Sequence, residues 1–326
     1  MGLKLSLTLG LLLALVLAWA VIQHRARAQE TAAIEAHPPS GQFIDVDGQR
    51  VHAVVMGPDT GEAPDLVLIH GLSGNFTDWT FRIGPELARD YRVIIFDRPG
   101  LGYTDGIDSD GASVVQQAAL LQAAAEQLGA TKPIVLGHSY GGAVALAWAI
   151  NHPDSLSALV AVAAASHPWD SGLSTYYKVL SHPVLGPLVI PAITAFVPES
   201  RVERGITEVF APDDVPTGYF DQFAAALTLR RDSLRTNALH RATLLPQIRR
   251  MVPYYRDIAV PTEILHGTAD TTVGVHIHSQ PLTRAIPNAN LVLLPGTGHM
   301  PHQAEPDETI AAIHRAATRA GLRPAR

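Results

Sequence analysis

The chain has 326 residues, a net charge of −6 and no cysteine. An acidic balance offers no basic footprint for nucleic acid, so no nucleic-acid partner is expected. The missing cysteines exclude disulfides and a thiol nucleophile, and they leave the redox compartment open. Nothing in the composition sets the oligomeric state.

An apolar leader comes first. Leu5 to Ile22 is an 18-residue, overwhelmingly apolar run, preceded by Lys4 and followed by Arg25 and Arg27. That length reaches the lower bound of a spanning helix and exceeds the usual apolar core of a cleaved signal, which favours a retained membrane anchor. Ala26-Arg-Ala28 has the small-x-small form of a cleavage site, so export after cleavage at Ala28 is the competing expectation. Basic residues flank both ends, and charge asymmetry sets no orientation. Residues 1–28 are read as leader, 29–41 as a linker containing Pro38-Pro39-Ser40-Gly41, and 42–326 as one large globular domain.

That domain opens with strand candidates Gln42–Val46 and Arg50–Val55, then Asp65-Leu-Val-Leu-Ile-His70-Gly71, a buried strand ending in His-Gly. Phe96-Asp97-Arg98-Pro99-Gly100-Leu101-Gly102 is a turn, and Ser113 to Leu128 reads as an alanine-rich helix. The apolar stretch Pro133 to Leu136 runs into Gly137-His138-Ser139-Tyr140-Gly141, and a helical pattern follows through Trp148. In this strand–turn–helix context Gly-x-Ser-x-Gly is informative. The glycines relieve crowding where the chain reverses, and the strained turn holds the hydroxyl clear of the backbone. Ser139 is the candidate nucleophile.

A serine hydroxyl is a poor nucleophile at neutral pH and needs a base, itself oriented by a third group. Leu156 to Ala165 is a continuous apolar and small run, read as a fully buried strand. Thr262–His266 is a short strand leading to Asp270, the candidate acid. Asn290–Leu294 reads as another buried strand, followed by Pro295-Gly-Thr-Gly298-His299, which supplies the candidate base. Asp270 could instead cap a helix, with Asp170 as the competing acid; His302 is the competing base. His276-Ile-His278 and the pair His299 and His302 raise a zinc reading, but the closing ligand set is missing and no metal is expected.

The order Ser139, Asp270, His299, each just past an apolar strand, resembles the α/β-hydrolase family, as do His70-Gly71 and the Asp97 to Gly102 turn. The resemblance spans about Phe43 to Gly321. It implies an α/β fold: a mostly parallel eight-stranded sheet, helices on both faces and a helical cap at about residues 166–260. It further implies an oxyanion hole from the backbone N–H groups of Leu72 and Tyr140. His70, Gly71 and His138 would support those turns, and no cofactor would be needed. The implied reaction is acyl transfer to water by a carboxylesterase or lipase-like enzyme. Perhydrolases and C–C bond hydrolases share the same three residues, and a catalytically silent binding protein could share the scaffold. Serine at the turn argues against dehalogenase or epoxide hydrolase chemistry, which uses aspartate there.

The segment after Ala165 holds Trp169, Tyr176, Tyr177, Phe196, Phe210, Tyr219, Phe220 and Phe223 among helical patches broken by proline. Those aromatics either shape a pocket for a small-molecule substrate with an apolar acyl or alkyl part, or form the segment's own core. Pro306 to Ala320, with Ile310, Ile313 and Ala317 at helical spacing, is a closing amphipathic helix.

Overall fold

The computed structural model describes residues 2–324. Its strands are β1 (Gln42–Val46), β2 (Gln49–Met56), β3 (Asp65–Ile69), β4 (Arg92–Phe96), β5 (Ile134–His138), β6 (Ala158–Val162), β7 (Thr262–Gly267) and β8 (Ala289–Leu294). They form one sheet in the order β1-β2-β4-β3-β5-β6-β7-β8, in which β2 alone runs against the rest. This is the mostly parallel eight-stranded sheet implied by the resemblance.

Side chains alternate across the sheet, so each strand feeds two cores. Val67 and Ile69 of β3 face one side, where they join α2 (Val114–Gln127) and α3 (Tyr140–Asn151). Leu66 and Leu68 face the other side and meet Ile83, Leu87 and Ile313. Ile313 lies on α9 (Pro306–Arg319), whose Ala316 and Ala317 are also buried, while Ile310 is half-buried. Ser113 caps α2 through its hydroxyl, with Gln116 returning the bond to the Ser113 N–H, a capping box that explains the start of that helix. Leu156–Ala165 yields only five strand residues, because the chain turns at Ala163 with φ of 44°. β8 is not buried as its apolar run suggested: it is the sheet edge, and only Leu294 is fully covered.

Between β6 and β7 lie four main helices, α4 (Thr175–Ser181), α5 (Leu185–Phe196), α6 (Glu199–Phe210) and α7 (Arg231–Met251). Leu180, Ile190, Leu234 and Ala238 form a small core joining α4, α5 and α7. The remaining helix of note, α8 (Ser279–Ala285), buries Leu282 on the face shared with α3.

The N-terminal helix α1 (Gly2–Ala36) does not stop at residue 28 but continues to Ala36, into the stretch 29–41 read as linker. Gln29-Glu-Thr-Ala-Ala-Ile-Glu-Ala36 is rich in helix formers, and the body of the protein holds it. Ala26 and Ala33 are buried, Glu30 forms an ion pair with Arg231 at 2.7 Å, and the Arg25 guanidinium lies 4.9 Å from the ring centre of Phe196. Residues 4–21, by contrast, are exposed throughout.

Candidate active site

Every residue of β5 is buried, and the strand delivers the chain to Ser139 in an unusual conformation, φ 54° and ψ −115°. A side chain at positive φ costs on the order of 1–3 kcal/mol, so the surroundings must hold it. The Ser139 N–H donates to the Val162 carbonyl at 2.9 Å, and the Ser139 carbonyl accepts from Gly142 and Ala165. The flanking glycines are sterically required. A Cβ at Gly137 would lie 2.1 Å from the Gly141 carbonyl oxygen, and one at Gly141 would lie 2.4 Å from that of Ile69.

Three residues far apart in sequence meet at this turn, all at the C-terminal edge of the parallel strands. His299 Nε2 lies 2.9 Å from Ser139 Oγ, and His299 Nδ1 lies 2.7 Å from Asp270 Oδ2. Asp270 follows β7 and His299 follows β8, the loop positions expected from their spacing. The other oxygen of Asp270 accepts the backbone N–H groups of Thr272 and Val273, both at 2.8 Å. Asp270 thus does what a capping residue would do with one oxygen while holding the imidazole with the other. Burial raises its pKa, but hydrogen bonds from His266 and His299 and the attraction of His299 outweigh burial and hold it well below the usual carboxylate range. With the carboxylate accepting at Nδ1, the neutral ring presents an unprotonated Nε2 to the serine hydroxyl.

Leu72 and Tyr140 lie at the same cavity. The N–H groups of Leu72 and Tyr140 donate to no acceptor among the described residues, and both residues line the cavity at Ser139. Tyr140 begins α3, so its N–H is one of the unsatisfied donors at a helix start. The loop carrying Leu72 is braced from behind by Arg98, fully buried, which donates through Nε to the His70 carbonyl and through Nη2 to the Gly71 carbonyl, both at 3.0 Å. Because a trans peptide points its C=O and N–H in opposite directions, gripping the Gly71 carbonyl turns the Leu72 N–H away from Arg98. His70 Nε2 accepts the Arg98 N–H at 3.0 Å, while its Nδ1 faces the Gly71 carbonyl at 2.9 Å. A Cβ on Gly71 would sit 2.9 Å from His138 Nδ1 and 3.3 Å from Ser139 Cβ. No role for Arg98 was evident from sequence beyond its place in the Asp97 to Gly102 turn.

The competing assignments separate cleanly. Asp170 is exposed and His302 is turned away from the serine, with Nε2 3.0 Å from Asp78 Oδ2. Asp78 also accepts from the Tyr219 hydroxyl at 2.8 Å and from Gln303, linking three loops. Burial raises the Asp78 pKa, but the attraction and hydrogen bond of His302, with a contribution from His138, hold it far below normal. Asp78, His138 and His302 offer donor atoms close enough together to hold a metal ion. Their bonding pattern is already that of a polar staple, since His138 Nε2 donates to the His299 carbonyl at 2.8 Å and so fixes that loop. His276 is exposed while His278 is buried with Nδ1 accepting from Ser166, so this pair does not converge.

Above the serine lies a cavity of about 880 Å³, roofed by the helices between β6 and β7. Trp169, Tyr176, Tyr177, Phe210, Tyr219 and Phe223 line it. Phe210 and Tyr219 also pack with Met300, so the aromatics serve as cavity wall and as local core together. Phe196 is exposed.

Fold and site together define a hydrolase-type α/β sheet with a buried serine, histidine and carboxylate in hydrogen-bond contact. The sequence pattern of the alpha/beta hydrolase family matches residues 66–312, and the chain belongs to that family. It is 26% identical over 268 residues to a pimeloyl-[acyl-carrier protein] methyl ester esterase of Vibrio atlanticus, covering 76% of this chain and 92% of that protein. The fold is similar to the enol-lactonase of Burkholderia xenovorans LB400, with a TM-score of 0.70 at 17% identity over 85% of this chain and all of the other. It is also similar to a bacterial membrane phospholipase A, with a TM-score of 0.63 at 23% identity over 98% of this chain and 99% of that one.

Proposed function

We propose that this hydrolase is a serine esterase working through an acyl-enzyme, carried by the line of contacts from Ser139 Oγ through His299 to Asp270. The Ser139 oxygen attacks a carbonyl carbon while His299 Nε2 takes its proton, and Asp270 orients and balances the imidazolium. The Leu72 and Tyr140 amides receive the oxyanion. When the tetrahedral centre collapses, the C–O bond to the alcohol breaks and His299 returns the proton to the leaving oxygen. Water then repeats the sequence on the acyl-Ser139 ester. The apolar wall of the cavity under the helical cap supports a substrate with an apolar acyl or alkyl arm.

Turnover of p-nitrophenyl esters by the full chain in detergent tests the reading. Ser139→Ala is expected to lower the rate by about 10⁴–10⁶, and a fluorophosphonate probe is expected to label Ser139. Equal rates in wild type and variant would refute the nucleophile.

The N-terminal segment we read as a retained anchor. Eighteen exposed residues, 4–21, span about 27 Å at 1.5 Å per residue, close to the thickness of a bilayer core. Cleavage after Ala28 would remove Arg25 and Ala26, which pack against the domain. Beside α1, α5 carries no charge and leaves Leu185, Leu188 and Phe196 exposed, as is Val184 just before it, apolar surface that a membrane would cover. Membrane fractionation with N-terminal sequencing is expected to recover a sedimenting chain that retains Leu5 to Ile22.

A further inference from the structure

Arg241 differs from every other charge at the cavity. It projects from α7 into the space shared with Ser139 and His299 and is half-buried. Its guanidinium carbon lies 5.0 Å from the ring centre of Trp169 and 5.9 Å from that of Tyr177. The two carboxylates lining the cavity, Asp78 and Asp270, are already held by His302 and His299. Among the described residues Arg241 has no ion-pair partner and donates no hydrogen bond. Its neighbours on the same helix are engaged: Arg231 grips Glu30, and Arg235 donates to the Leu180 and His182 carbonyls. Arg98, beneath the site, is occupied by two carbonyls and Gln117.

Withdrawing a guanidinium from water without a counter-charge is unfavourable, and flanking aromatic faces offset only part of that cost. Burial lowers the pKa of this group. Its planar fork of N–H donors is free to meet a carboxylate or phosphate two bonds at a time. Asn237, one turn earlier on the same face of α7, bonds both the N–H and the hydroxyl of Ser73. The charge therefore sits one helical turn from the loop that carries Leu72. Val202, Ile206, Val209 and Phe223 supply an apolar part of the wall.

We infer that Arg241 is an anion subsite of the reaction cavity, and that the substrate is an acyl compound with an apolar middle and a terminal carboxylate or phosphate. The word substrate rests on the serine-esterase reading; the anion subsite does not. Two esters of equal length, p-nitrophenyl hexanoate and the mono-p-nitrophenyl ester of adipate, compare a neutral with an anionic end in the full chain in detergent. The adipate ester is expected to have the higher kcat/KM. In Arg241→Gln the adipate-to-hexanoate ratio is expected to fall by about 10–100-fold, the scale of one charge-assisted pair, mainly through KM. Arg241→Lys is expected to restore part of it, and Arg204→Gln, on the exposed side of α6, to leave the ratio as it is. Competition by hexanoate and by hexyl phosphate separates a carboxylate from a phosphate preference.

Calorimetry on Ser139→Ala with monomethyl adipate and methyl hexanoate reads the subsite without turnover. If the wild type hydrolyses neither p-nitrophenyl ester and monomethyl adipate still binds more tightly than methyl hexanoate through Arg241, the esterase reading fails and the subsite stands. A ratio near one in the wild type, or one unmoved in a folded Arg241→Gln, would overturn the subsite and leave Arg241 a packing residue between two rings.

Discussion

Arg98 braces the loop that carries Leu72 without lining the cavity, so the proposed chemistry can be tested at a residue away from substrate. Replacing it with Met removes its bonds to the His70 and Gly71 carbonyls and leaves the Leu72 peptide held only by the His70 ring and the Gly74 N–H. Loss of one aligned amide is expected to lower kcat by about 10²–10³ with a smaller change in KM. The His70 carbonyl, left without a donor, adds a loss of thermal stability, so calorimetric melting should be read beside the kinetics. Asp270→Asn tests the other side of the site. An amide cannot hold His299 in the required tautomer, and kcat is expected to fall by about 10⁴ with the melting temperature less affected. Ser139, Asp270 and His299 were legible because each follows an apolar strand of a parallel sheet, where loops converge at one edge. Arg241 and Arg98 were not, because their meaning lies in the partner each lacks or finds across the fold.

At the scale of elements, α1 is two things in one helix: an uncovered apolar half and a second half seated on the domain. The seat depends on Glu30, whose carboxylate receives Nε and Nη2 of Arg231 at 2.8 and 2.7 Å and the Arg231 N–H at 2.9 Å. Burial is the largest single influence on Glu30 and raises its pKa, but the hydrogen bonds and charge of Arg231, with Arg230, together outweigh it and lower the value. This contact is therefore complete above the ordinary carboxylate range and is lost as pH falls through the lowered value. Glu30→Gln is expected to weaken docking by about 1 kcal/mol at most, seen as faster trypsin cleavage at Arg25 and Arg27. Unchanged cleavage would show that Ala26 and Ala33 seat the helix alone. The linker expectation missed this because Pro38 and Pro39 mark the end of the helix, and its start of contact is set by Arg231, 201 positions away.

For the whole molecule the consequence is acid sensitivity. Burial, with Arg98 close by, lowers the His70 pKa from 6.5 to about 4. Burial and the neighbouring His266 and His167 bring His278 to about 4. His138 and His240 are also pushed well below 6.5, chiefly by burial. In each case the unfolded chain binds the proton first, so stability rises with pH between about 4 and 6.5 and is lost as pH falls through that window. His70 alone represents on the order of 3 kcal/mol across it. Carboxylates such as Asp270 begin to act only below it. The melting temperature is expected to drop steeply from pH 7 to pH 4.5, and a flat profile would contradict neutral buried histidines.

Local sequence determined seven of the eight sheet strands, the Ser139 turn, the capped α2 and the apolar leader, because each depends on neighbours within a few residues: periodicity, glycine spacing, a capping pair; β4, ahead of the Asp97 turn, was not among the strands read from it. Tertiary structure alone decided that β8 is an edge, that His302 serves Asp78 rather than Ser139 and that α1 lies on α5. It also decided that one arginine enters the cavity without a partner. Those outcomes depend on which side chains approach through space, and spacing along the chain carries no record of that.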